Sequence, residues 1–119
     1  MEPIERLYKK DEIITRSLHL DENLYIKLQY LCDNVYDTSI SKIINICVET
    51  QLNELNNLKF YKKPYKTDSI YRSILFRKNF YDQLVKIREE TGISLSRLVN
   101  GSIKFFIDKY IGKKFTIKL

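Results

Sequence analysis

The order Ser94-Leu95-Ser96-Arg97-Leu98-Val99-Asn100 repeats, in residue type, the order Ser39-Ile40-Ser41-Lys42-Ile43-Ile44-Asn45. Upstream of each lies a second matching block, Ile70-Tyr71-Arg72-Ser73-Ile74 and Ile14-Thr15-Arg16-Ser17-Leu18, followed by Asn79, Tyr81, Leu84 and by Asn23, Tyr25, Leu28. The two copies span Ile14 to Val48 and Ile70 to Ile103, with an offset of 56 positions through the first block and 55 through the second. One residue has therefore been gained or lost in the turn between the blocks, and both patterns stay in phase, as expected of a duplication. Two copies are too few for a solenoid, so the expectation is a pair of units folding together about a pseudo-two-fold.

Each copy opens with alternating residues, Thr15-Arg16-Ser17-Leu18-His19-Leu20 and Tyr71-Arg72-Ser73-Ile74-Leu75-Phe76, the period of a half-buried strand. Leu18 and Leu20, or Ile74 and Phe76, mark the buried face. Helical spacing follows in Leu24, Leu28, Leu31 and in Phe80, Leu84, Ile87, ending at Asn34 to Asp37 and at Thr91-Gly92. Gly92 suits a left-handed cap and Asp37 is an acceptable substitute. Ser39 and Ser94 are N-caps of a second helix carrying Ile43, Ile44, Cys47, Val48, Leu52 or Leu98, Val99, Ile103, Phe106, Ile107. Each unit is thus strand, helix, helix, over residues 13–55 and 70–111 of a single compact domain, 1–119. Residues 56–69 form a basic linker, with Lys59, Lys62, Lys63 and Lys66 around Pro64, whose fourteen residues reach up to ~45 Å. Phe115-Thr116-Ile117-Lys118-Leu119 alternates and offers one more short strand.

With 119 residues, 44% of them hydrophobic, the chain closes one core, whereas two independent domains of roughly fifty residues would be marginal. No run approaches the ~20 apolar residues of a membrane span, and Met1-Glu2-Pro3-Ile4-Glu5-Arg6 is not a secretory signal, so a cytoplasmic protein with no membrane partner is expected. Cys32 and Cys47 sit on helices of the first copy. With one histidine in the chain they make no metal set, and reduced packing residues with no cofactor are expected. Lysine and arginine total 21 against 15 acids, a charge of +6 compatible with a polyanionic partner. One histidine, three glycines, no phosphate-binding glycine loop and no carboxylates at catalytic spacing argue against an enzyme.

A lone strand leaves its backbone donors and acceptors without partners, and a unit of about forty residues buries too little surface to stand alone. Pairing the strands antiparallel makes a ribbon whose inner face, Leu18, Leu20, Ile74 and Phe76, lies over four helices. The fold class expected is mainly α with a two-stranded antiparallel ribbon.

In these features the chain resembles the ribbon-helix-helix DNA-binding proteins, the family of the Arc and MetJ repressors. The resemblance covers both repeats, about 70 of the 119 residues. Its most specific element is Gly92-Ile93-Ser94-Leu95-Ser96-Arg97-Leu98, similar to the family's glycine-x-serine-x-serine-basic-apolar opening of the second helix. The first copy departs from it at Asp37 but keeps Ser39, Ser41 and Lys42. Family members are normally dimers of separate chains. Here the resemblance implies two ribbon-helix-helix units in one polypeptide, an intramolecular pseudo-dimer of the kind known in some accessory proteins of conjugative plasmids.

The resemblance further implies a ribbon that enters the DNA major groove. With Leu18 and Leu20 inward, Thr15, Ser17 and His19 point outward from one strand and Tyr71, Ser73 and Leu75 from the other. These six are the candidate base contacts: hydroxyls and imidazole for base edges, Leu75 for a thymine methyl. The alternative to base contact is an ordinary solvated face. Arg16 and Arg72 fall on the inward face and are expected to emerge at the strand starts and reach phosphates. A reversed ribbon would expose both arginines at the expense of burying serines and His19. The unpaired N–H groups opening each second helix, with Ser39, Ser41, Lys42 and Ser94, Ser96, Arg97, form two candidate phosphate clamps, although helix capping alone accounts for the serines. Because the two strands differ, the expected DNA site is non-palindromic or imperfectly palindromic.

The function expected is sequence-specific double-stranded DNA binding, as a transcriptional repressor of a mobile element. A plasmid DNA-processing or partition accessory protein would use the same ribbon. An antitoxin-like protein-interaction module is the alternative of another class, disfavoured by the roughly eight residues after the last helix. Tyr8, Tyr61 and Tyr65 are candidate surfaces for self-association on adjacent DNA sites.

Overall fold

The computed structural model describes residues 12–54 and 68–111. Most of the basic linker, the Phe115–Leu119 run and the tyrosines Tyr8, Tyr61 and Tyr65 lie outside the described residues. Within them the elements are β1 (Ile13–Asp21), α1 (Glu22–Leu31), α2 (Ile40–Leu52), β2 (Ser69–Arg77), α3 (Lys78–Thr91) and α4 (Leu95–Phe106). The described chain is mainly helical, with one two-stranded antiparallel sheet. No described helix is long and apolar enough to cross a membrane.

Both strands run to nine residues, longer than the alternation alone predicts. Ser69, expected in the linker, opens β2 instead. Just outside the strands, Glu22 N–H donates to Asp68 O at 2.9 Å, and Lys78 N–H donates to Glu12 O at 2.8 Å. The register sets Ser17 opposite Ser73, Thr15 opposite Leu75, His19 opposite Tyr71 and Ile13 opposite Arg77. Ser17 and Ser73 are also counterparts in the sequence repeat, and the remaining pairs are disposed symmetrically on either side of them.

Alternation places the core as expected: Leu20 and Phe76 are fully buried, Ile74 and Leu18 nearly so. They pack with Leu24, Leu28 and Leu31 of α1, Phe80 and Leu84 of α3, and the apolar stripes of α2 and α4 in one cluster. The second helices of the two repeats make the most extensive helix–helix packing. Asp21 caps α1, its carboxylate accepting from Leu24 N–H at 3.1 Å. Cys32 and Cys47 are buried free thiols. Burial pushes both thiol pKa values up, Asp33 adding to the effect at Cys32.

The length difference between repeats lies elsewhere than expected. It is taken up in the last turn of the first helix, not in the turn after it: beyond α1 the chain winds through a π-helical turn, Cys32–Tyr36. Asp37 N–H closes that turn on Cys32 O, five residues back, whereas Gly92 N–H closes α3 on Arg88 O, four back. A π turn holds one residue more than an α turn, so both helices end in phase. Both caps are left-handed, Asp37 at φ 49° and Gly92 at φ 78°, as the sequence predicts.

A two-stranded ribbon has two free edges, each a row of unpaired backbone groups. Two asparagines cover their ends. Asn45 of α2 donates to Leu75 O at 2.8 Å and accepts from Arg77 N–H at 3.0 Å. Asn100 of α4 donates to His19 O at 3.1 Å and accepts from Asp21 N–H at 2.8 Å. Each also donates to its own helix, at Ser41 O and Ser96 O. The second helix of each repeat thereby holds the strand of the other.

Where Phe106 packs in α4, α2 carries Gln51, 2% exposed, whose Nε2 has no hydrogen-bond partner among the described residues. An unsatisfied buried donor costs about 1–3 kcal/mol. Gln51→Leu is expected to stabilise the fold by about 1 kcal/mol, raising the melting temperature by about 4 °C. Calorimetry showing a lower melting temperature would contradict this.

Candidate nucleic-acid interface

The outer face of the ribbon follows from strand parity. Thr15, Ser17, His19, Tyr71, Ser73 and Leu75 are all exposed, with Tyr71 at 58% and Leu75 at 51%. The Ser17 and Ser73 hydroxyls share a hydrogen bond of 2.9 Å at the centre. The His19 and Tyr71 rings lie against each other at 4.7 Å. Burial of Leu18, Leu20, Ile74 and Phe76 rules out the reversed ribbon.

Two further residues belong to this face. Ile13, 51% exposed, and Arg77, whose guanidinium lies over the Phe80 ring at 5.7 Å, extend it by one pair. Shared parity with Thr15 and Leu75 was the available signal, missed because the alternation was read from Thr15 to Phe76.

Arg16 and Arg72 do not emerge at the strand starts. They leave the helix side of the ribbon near its middle, and both are exposed. Arg16 lies over the Tyr81 ring at 5.2 Å, Arg72 over the Tyr25 ring at 5.4 Å, each crossing to the other repeat. Arg16 Nη1 donates to Thr15 O at 2.8 Å, and Arg72 Nη1 to Tyr71 O at 3.0 Å. Leu75 turns its N–H and C=O toward α2, so the backbone groups of the odd-numbered strand residues face the two edges. Each guanidinium therefore lies along an edge of the ribbon.

At the helix openings, Ser39 Oγ accepts from Lys42 N–H at 3.2 Å and Ser94 Oγ from Arg97 N–H at 3.3 Å, so both serines serve as N-caps. Ser41 departs from the clamp: its Oγ accepts from Leu75 N–H at 3.0 Å and is turned to the ribbon. Its O–H remains a donor. Lys42 is exposed, and Ser96 and Arg97 are half-buried. Through Asn45, Ser41 and Asn100, each helix opening is joined to a ribbon end. Lys78, at the start of α3, pairs with Asp82 at 2.8 Å, which holds its pKa up and offsets its charge.

The described residues contain no group of three or more histidine, cysteine or acidic side chains placed to hold a metal. An exposed polar ribbon, with arginines along its edges and a helix N-terminus joined to each end, can take a polyanion of matching width: hydroxyls and imidazole meet its hydrogen-bonding edges, cations its charge. No family model, curated protein or solved structure matches the chain.

Proposed function

We propose that the chain is a sequence-specific double-stranded DNA-binding protein and that its two strand-helix-helix units form an intramolecular pseudo-dimer, the ribbon lying in the major groove. The observation that carries this reading is the ribbon's exposed outer face, flanked at both ends by helix N-termini bearing Lys42 and Arg97. The major groove, about 12 Å wide, admits a two-stranded ribbon and presents a distinct pattern for each base pair. Thr15, Ser17, His19, Tyr71, Ser73 and Leu75 meet the base edges. Arg16, Arg72 and the openings at Ser39, Lys42, Ser94 and Arg97 meet phosphates, with the Ser41 and Ser96 hydroxyls as added donors. Matched asparagine bonds and matched arginine–tyrosine stacks support the pseudo-dimer. Transcriptional repression is the role proposed for such a reader.

The charged part of this reading is tested by salt titration. Each phosphate contact contributes about 0.9 to the slope of log affinity against log salt. Lys42→Ala with Arg97→Ala is expected to lower that slope by about 2 and to weaken binding to all sequences alike. An unchanged slope would remove the helix openings from the interface.

A further inference from the structure

The two ends of the ribbon occupy related positions yet differ in chemistry. At one end Leu75 and Ile13, each 51% exposed, sit on the outer face, with Ile46 of α2, 47% exposed, beside them around one open groove of about 470 Å³. The corresponding positions at the other end are His19, Ser69 and Gly101, where the His19 ring meets that of Tyr71 at a tilt of 49°. One end presents exposed aliphatic side chains among polar and charged neighbours that include Lys42 and Arg77. The other presents His19 and Tyr71 and no exposed aliphatic side chain at the matching positions.

Leu75 is also held in place. Its N–H donates to Ser41 Oγ at 3.0 Å and its C=O accepts from Asn45 at 2.8 Å, so both backbone groups are fixed by α2 and the side chain is presented outward. An aliphatic side chain carries no donor or acceptor for a base edge. The apolar group that base pairs present in the major groove is the thymine C5-methyl.

We propose that Leu75, with Ile13 beside it, forms a thymine-methyl site, and that this site fixes the direction in which the chain lies on its DNA. The inference rests on the DNA-binding reading above. It adds that the subsite under the Leu75 end contains a thymine whose methyl faces the ribbon, and that the His19–Tyr71 end makes no such demand.

Replacing thymine by deoxyuridine removes the methyl and leaves every hydrogen-bonding group in place. The test takes the duplex enriched by the wild-type chain from a random pool and substitutes its thymines one at a time. Substitution at one end of the site is expected to weaken binding about 3- to 10-fold, the worth of one buried methyl. Substitution at the other end should change it less than two-fold. Leu75→Ala should bind the thymine and deoxyuridine duplexes equally, while His19→Ala should bind both more weakly and still distinguish them. Leu75 is exposed, so its truncation leaves the core intact. Deoxyuridine without effect at every position, or Leu75→Ala that still distinguishes the duplexes, would overturn the proposal while leaving DNA binding standing. A wild-type chain that enriches no duplex overturns the DNA-binding reading itself.

Discussion

The double substitution Asn45→Ala, Asn100→Ala is expected to lower the free energy of unfolding by about 4–6 kcal/mol. Each asparagine is buried, makes three hydrogen bonds, and joins the second helix of one repeat to the strand of the other. Truncation leaves a backbone N–H and C=O at each ribbon end without their partner, at about 1–3 kcal/mol per unsatisfied group. Most of these bonds are part-buried, so about 2–3 kcal/mol per asparagine is expected. The two sites lie at opposite ends and share no partner, so their costs add to about 4–6 kcal/mol. A domain this small has a net stability of about 5–15 kcal/mol once conformational entropy is already offset, so this loss removes a large share of it. Urea titration of the two single variants and the double variant measures this. A double variant within about 1 kcal/mol of wild type would show that the ribbon edges are held by something else.

The second large effect concerns binding. Ser17→Ala, His19→Ala, Ser73→Ala removes three exposed outer-face groups and no core side chain, so the fold should persist. A lost base contact costs about 1–3 kcal/mol, and three together should lower the preference for the specific duplex by about 10²- to 10⁶-fold. Weak binding with steep salt dependence should remain, because Arg16, Arg72, Lys42 and Arg97 are untouched. Equal losses on specific and random duplexes would move the reading function away from the ribbon.

Much of this architecture was legible in the chain, because it rests on local periodicity. Alternation identified Leu18, Leu20, Ile74 and Phe76 as the inner face, and serine capping placed both second helices. Asp37 was readable as a left-handed cap because the repeat aligns it with Gly92. Less legible were features that depend on distant partners. Asn45 and Asn100 stood in the repeat as polar residues on apolar helix faces, but their partners lie 30 and 81 positions away. Ser41 read as a phosphate donor because its spacing from the cap is local, while the Leu75 N–H that claims it belongs to the other repeat. The extra residue of the first repeat leaves no periodic trace until the backbone winds it into a π turn. The arginines were correctly read onto the inner face. That they turn out along the edges depends on Tyr25 and Tyr81, which no spacing rule links to them.

The central claim is that the outer face of the ribbon reads DNA sequence. The most direct test is selection from a random duplex pool at two salt concentrations, with the wild-type chain and the Ser17→Ala, His19→Ala, Ser73→Ala variant side by side. The expected result is one enriched motif, asymmetric between its halves, that the variant fails to enrich while still binding the pool in a salt-sensitive way. A wild-type chain that enriches nothing and binds no duplex at low salt would contradict the account, and the exposed face would then need a different partner.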